Sequence, residues 1–182
     1  KPGVPGKKAI NVRFEVVPPI NMPGIMKDHE DVAGFMVAEP IAAKAISLDI
    51  AGLEFFSSTR WSGHPCCIVA MQQDFIQSYP DAVQEFVTLL IEAGRYVEQD
   101  KVRAADIAVS FLDPDGSLGL STTVLEQVFS QPLAIRMDDL FPVIEDFEKI
   151  QRYMHDVMDI GRLIDLEKFI DTTFAQRALA GF

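Results

Sequence analysis

The feature that most constrains this chain is a change of hydrophobic period at Pro80. Before it, apolar residues come in short runs broken by Pro, Gly and Ser; after it they recur every three or four residues. A short apolar run bounded by turn residues reads as a buried strand, whereas a 3.6-residue period reads as a helix with one buried face. The chain therefore divides into an α/β-like first part and a helical second part. With 182 residues, 48% of them hydrophobic, it can bury one core of ordinary size.

In the first part, residues 12–17 (VRFEVV) read as a strand stopped by Pro18 and Pro19. Residues 21–27 read as a short helix with Asn21 at its N-cap and Ile25 and Met26 facing inward. Residues 32–37 are short, apolar and β-favouring, a second strand. Pro40 then suits the first position of a helix over 40–50, where its missing N–H costs nothing, and Gly52 is the expected stop. LEFFSS (53–58) and residues 66–71 read as two further strands, and a short helical stretch ends at Tyr79.

In the second part, Val83, Phe86, Val87, Leu90, Ala93 and Val97 predict a helix buried along that stripe. Further helices are expected at 101–111, 121–129, 138–158 and 166–180, with DPDG (113–116) as a turn. The opening KPGVPGKKAINV carries no initiator Met, signal-peptide pattern or lipidation Cys. It reads as a mid-chain linker, so further protein is expected upstream.

The charge balance narrows the partners. A formal net charge of −11 repels nucleic acid and anionic headgroups, and no stretch of the length needed to span a bilayer is continuously apolar. Neither partner class is expected.

Two places carry candidate chemistry. Glu39 and Pro40 follow the apolar run GFMVA, at the strand-to-helix junction where ligands bind in open α/β sheets. The competing reading of Glu39 is a carboxylate that caps its own helix. The second place is WSGHP (61–65), which holds the only Trp. Trp61 and His64 in a Gly-containing loop can stack on and hydrogen-bond a small ligand; equally, the indole can cover a core edge while the imidazole is satisfied by backbone.

Other constellations fail on spacing. Adjacent Cys66 and Cys67 do not give the C-x₂₋₄-C spacing of a structural zinc site, and vicinal cysteines are strained as a disulfide. A nucleophile pair of His64 with Cys66 or Cys67 is chemically conceivable, but both cysteines open an apolar run, where Cys behaves as a small hydrophobe. Asp113, Asp115 and Ser117 begin like a calcium loop, yet the required Gly and Glu positions hold Leu118 and Val124. No phosphate-binding, dinucleotide-binding or zinc-protease motif is present. No metal and no cofactor is expected. The acid clusters at 138–139 and 145–148 read as solvated helix faces and N-terminal helix charges.

Taken in order, VRFEVVPPINMPGIM, VAGFMVAEPIAAKAI, WSGHPCCIVAM, DFIQSYPDAVQEFVTLLIEAGRYV and LEKFIDTTFAQRAL resemble the ABC-transporter substrate-binding proteins of the nitrate, sulfonate, taurine and thiamine-pyrimidine-precursor group. The resemblance implies an α/β, type II periplasmic-binding-protein-like fold. That fold has two lobes closing as a Venus flytrap over an interlobe cleft, with extra C-terminal helices. This chain would be the C-terminal portion, with 1–50 the later part of the second lobe and 51–182 the return into the first.

It further implies a non-enzymatic binder of a small molecule, partnered by an ABC permease and located in the periplasm or another extracytoplasmic space, held there by a lipid anchor or the permease. Glu39, Pro40, Trp61, Ser62 and His64 would touch the ligand. Inorganic-anion binders of the group tend to carry Lys in the Trp–His loop, where this chain has Ser62 and Gly63. Sulfonates, pyrimidine precursors and other organic ligands stay open beside nitrate-like anions. The alternatives are an enzyme of thiamine-pyrimidine synthesis using His64 with Cys66 or Cys67, and a ligand-sensing domain.

Overall fold

In the computed structural model, residues 13–181 are described, so residues 1–12, including the first position of the first expected strand, lie outside them. The chain forms two compact units, Lys1–Gly52 and Leu53–Phe182.

In the first unit a 3₁₀ turn, Pro19–Asn21, leads into helix α1 (Met22–Asp28). Asn21 occupies the cap position as expected, but its side chain accepts no hydrogen bond there. Ile25 and Met26 are half-buried. α1 packs against α2 (Ile41–Ser47), in which Ala45 is fully buried. Pro40 sits one residue ahead of that helix, not at its first position, and the Glu39–Pro40 peptide is cis.

α2 stops at Ser47, well before Gly52. Asp49 adopts φ 54°, so its N–H reaches the Ile46 carbonyl at 3.0 Å and the Ile50 N–H reaches the Ala45 carbonyl at 3.0 Å. These are the two bonds of a Schellman termination. An Asp takes the left-handed position where Gly is usual, which moves the helix end upstream of the expected glycine.

The second unit is a helical assembly. α3 (Gln73–Ser78) leads into α4 (Pro80–Gln99), which packs against α5 (Lys101–Leu112) and α9 (Thr173–Ala180); α5 in turn packs on α6 (Thr122–Ser130). The caps explain the boundaries. Asp100 accepts from the Arg103 N–H at 3.0 Å and Ser121 from the Val124 N–H at 3.2 Å, each satisfying a donor the first helical turn would leave unpaired. Val83, Ile91, Ala104, Ala105, Val124, Leu125, Val128, Phe174, Ala175 and Ala178 form the core.

α4 buries only part of the stripe expected. Val83 is buried and Val87 and Val97 are half-buried, but the other buried positions are Ile91 and Gly94, while Phe86 and Leu90 are 45% and 38% exposed. Apolar residues lie on more than one side of this helix, and the neighbours select the face. Gly94 is decisive: a Cβ there would be driven into the Met137 carbonyl oxygen, with the carbonyl carbon 2.9 Å away and Leu140 Cδ1 at 3.2 Å. Only a residue without a side chain lets residues 137–140 lie this close to α4.

The last expected helices are shorter than their patterns. Helix α7 runs Ile144–Arg152 and continues as a π-helical turn, Tyr153–Val157, so it begins six residues later than the pattern indicated. Pro142 disfavours helical backbone at the residue before it, and the acidic first turn, Glu145 and Asp146, suits the new start. Residues 166–180 split into α8 (Leu166–Phe169) and α9 because Asp171 accepts from the Thr173 N–H at 2.9 Å and hydroxyl at 2.6 Å, starting a fresh helix.

The expected α/β character is not realised among the described residues: no strand forms at 13–17, 32–37, 53–58 or 66–71. Residues 57–59 make a 3₁₀ turn instead. The apolar pattern at 66–71 is real, but Ile68 and Val69 are 59% and 52% exposed. A strand exists only when a neighbour accepts its N–H groups, so an apolar run encodes burial but not its pairing partner.

Candidate functional site

The Trp61–His64 loop is tied to its surroundings by several hydrogen bonds. The 3₁₀ turn Ser57–Thr59 launches it: the Trp61 N–H donates to the Ser57 carbonyl at 3.0 Å, and the Thr59 hydroxyl to the Phe56 carbonyl at 2.7 Å. The Ser58 hydroxyl ties the turn to the Leu133 carbonyl at 2.6 Å. Gly63, at φ 67°, reverses the chain so that His64 folds back over Trp61, their ring centroids 5.9 Å apart.

That reversal fixes the imidazole. Nδ1 lies 2.9 Å from the Trp61 carbonyl, which can only accept, so Nδ1 carries the proton. Nε2 lies 3.1 Å from the Ser57 hydroxyl, which donates to it when the ring is neutral. Nδ1 is thus satisfied by backbone, while Nε2 is taken by the Ser57 side chain of the preceding 3₁₀ turn, a partner that no local sequence pattern marks.

The indole is held from the other side by α7. Its Nε1–H donates to Asp146 Oδ1 at 3.2 Å across 85 residues of sequence, and the Lys149 ammonium lies 4.0 Å from the ring centroid. Asp146 and Lys149 are three apart on one helix and so project from one face. Glu145 and Asp146 do lie in the first turn of α7, as helix N-terminal charges, and Asp146 in addition bonds the indole, which a solvated face would not do. Nothing in the local pattern marks the Asp146–Lys149 pair, because acids and lysines at that spacing occur on most exposed helices.

Glu39 does what a capping carboxylate does: Oε2 accepts the Ala43 N–H at 2.9 Å. It and Pro40 are half-buried in the first unit, and Ser62 is exposed at the loop tip in the second.

The cysteine alternative loses its geometry. Both His64 nitrogens have other partners, while the two thiols contact each other at 3.9 Å. Partial burial pushes the Cys66 thiol up, with Cys67 adding to it, the opposite of an activated nucleophile. Among the described residues no three His, Cys, Asp or Glu side chains assemble for a metal, and no helix is long and apolar enough to cross a membrane.

Asp113 has a structural role. Buried to 5% exposure, its carboxylate accepts the Leu118 and Leu120 N–H groups at 2.7 and 2.8 Å, locking the loop between α5 and α6. Asp115 accepts the Ser117 N–H at 3.1 Å.

Comparison with known proteins gives this geometry a context. The profile of the NMT1-like family matches residues 7–111, a span that contains Glu39, Pro40 and the whole Trp61–His64 loop. The chain is 32% identical over 89 residues to the nitrate/nitrite binding protein NrtA of Nostoc sp., covering 49% of this chain and 20% of that protein. It is 28% identical over 88 residues to the bicarbonate transport ATP-binding protein CmpC of Synechococcus elongatus, covering 48% of this chain and 13% of that protein. The chain thus spans a fifth or less of the curated relatives it matches. No solved structure matches it.

Proposed function

The chain belongs to the NMT1-like family of substrate-binding proteins, which has a periplasmic-binding-protein-like fold, and on that premise we propose that it serves as part of a solute-binding protein feeding an ABC importer. The observation that carries this reading is the family match over residues 7–111, together with the identity to a nitrate/nitrite binding protein. The protein binds and releases its ligand without chemistry. This reading is supported by the engagement of both His64 nitrogens away from the thiols and by a Cys66 thiol shifted away from its reactive form.

In its finer form the full-length protein is a type II, α/β, two-lobed binder acting outside the cytoplasm and closing around a sulfonate, nitrate-like anion or pyrimidine precursor before docking on a permease. This chain contributes a C-terminal portion, with the segments at 32–37 and 66–71 paired as strands in the complete protein. Glu39, Pro40, Trp61, Ser62 and His64 are the proposed ligand contacts. Trp61 offers a rigid aromatic wall, since its edge is fixed by Asp146 and its loop by the Ser57–His64 bond.

Thermal-shift measurements on the full-length protein against nitrate, bicarbonate, taurine, alkylsulfonates and thiamine pyrimidines test the reading. A ligand that binds only the native state raises the melting temperature by linkage. A concentration-dependent rise with one of these classes is expected. Turnover of any of them, or no shift across the panel, would overturn it.

A further inference from the structure

We propose that Ser57 is a modification site: a serine nucleophile activated by His64, which takes a small acyl group from an activated ester. The inference goes beyond the transport reading and does not depend on it, because the proposed ligands carry no activated ester.

The bonds of other hydroxyls set Ser57 apart. Ser58 donates to the Leu133 carbonyl at 2.6 Å and Thr59 to the Phe56 carbonyl at 2.7 Å. Elsewhere in the chain Ser47, Thr88 and Ser110 likewise donate to backbone carbonyls, at 2.8, 2.8 and 2.9 Å. A carbonyl holds such a hydroxyl in place but cannot take its proton at neutral pH. Ser57 Oγ instead lies 3.1 Å from His64 Nε2, and a neutral imidazole is a base at that pH.

The imidazole is in the tautomer this requires. Nδ1 faces the Trp61 carbonyl at 2.9 Å and so carries the hydrogen, which leaves the Nε2 lone pair to the serine. A nucleophile, a base within hydrogen-bond reach and a third group that orients the base are the parts of an activated serine. Here a backbone carbonyl is the third part. It fixes the ring and accepts from the imidazolium once that forms, with less stabilisation than a carboxylate would give. Activation of that grade suits an ester with a good leaving group.

The pair is also preorganised. Gly63, at φ 67°, turns the chain so that His64 folds back. The Trp61 N–H donates to the Ser57 carbonyl at 3.0 Å, so the residue that orients the base is tied by its own backbone to the nucleophile. Ser57 and His64 are both half-buried, so a small acyl group is the class that reaches the hydroxyl.

In the reaction, Ser57 Oγ attacks the ester carbonyl carbon while its proton passes to His64 Nε2. The bond from that carbon to the leaving oxygen then breaks, and the leaving oxygen takes the proton from Nε2. The products are O-acyl Ser57 and the free alcohol or phenol, with His64 neutral again.

The test is treatment of the full-length protein with p-nitrophenyl acetate, followed by peptide mass spectrometry. Reading acetylation residue by residue separates Ser57 from the lysines and from the exposed Cys66 and Cys67. The exposed Ser62 is the internal reference, and the wild type is compared with His64→Gln, with melting curves to establish that the variant folds.

In the wild type Ser57 is expected to acetylate at least about 100-fold faster than Ser62, the lower end of what a positioned general base contributes. His64→Gln should remove that excess. Acetylation of Ser57 no faster than that of Ser62 overturns the proposal from the wild type alone, whether or not the variant folds. Equal labelling of Ser57 in the wild type and in folded His64→Gln overturns it as well, since the serine would then owe nothing to the imidazole.

Discussion

Replacing Gly94 by Ala probes whether the packing that delivers α7 to Trp61 is as tight as the structure shows. On an exposed helix the change would stabilise by about 1 kcal/mol, because Ala is the better helix former. At position 94 the added methyl meets the Met137 carbonyl oxygen head-on, with its carbon at 2.9 Å and Leu140 Cδ1 at 3.2 Å. Ordinary non-bonded contacts lie near 3.5–4.0 Å, so the Met137 carbonyl must retreat by more than about 1 Å, and the obstacle is backbone that no rotamer change can move. Overpacking of this kind costs roughly 1–3 kcal/mol beyond the propensity gain it cancels. A net loss of about 2 kcal/mol lowers the melting temperature of a chain this size by roughly 4–8 °C.

Circular dichroism gives the melting curve, and the emission of Trp61, the only Trp in the chain, gives an independent probe. Because 137–140 leads directly into α7, whose Asp146 holds the indole, a retreat there also changes the emission of the folded state. A variant that melts at or above the wild type would refute the reasoning, since the sign expected without the contact is the opposite one.

Other substitutions test separate devices. Asp49→Gly relieves the left-handed backbone at φ 54° and should slow hydrogen exchange at the α2 amides, a gain of about 1 kcal/mol; unchanged exchange would remove Asp49 as the stop. Asp113→Ala removes the acceptor shared by the half-buried Leu118 and Leu120 N–H groups and should destabilise the second unit by about 1–3 kcal/mol in urea unfolding, where Asp115→Ala has little effect. Asp146→Ala frees the indole N–H to water and should red-shift Trp61 emission with the fold intact. The Ser117 hydroxyl and N–H hold the Asp115 carboxyl below the usual aspartate value. Its small stabilising contribution is therefore present above that usual value and lost as pH falls through the lower folded one, and a carboxyl NMR titration should find its midpoint displaced downward.

What the sequence by itself determined is whatever rests on neighbours within a turn or two. Ser121 and Asp100 can cap only the helices that follow them, Pro80 suits the start of α4, and DPDG can do little but turn. The ordered motifs around Glu39 and Trp61 likewise carried the family, because family membership is written in residue order. The tertiary structure decided what depends on residues far along the chain. Which stripe of α4 is buried was set by α5, α9 and the close approach at Gly94, not by the apolar residues available on several sides. Whether an apolar run such as 66–71 becomes a strand was set by the presence of a pairing edge, which its own sequence cannot supply. The partners of Trp61 came from α7, 85 residues away at Asp146, where a charged pair has no local signature separating a contact from a solvated face. Short-range hydrogen bonds and backbone preferences act between residues the chain already holds together; burial and long-range pairing act between surfaces that meet only once it has folded.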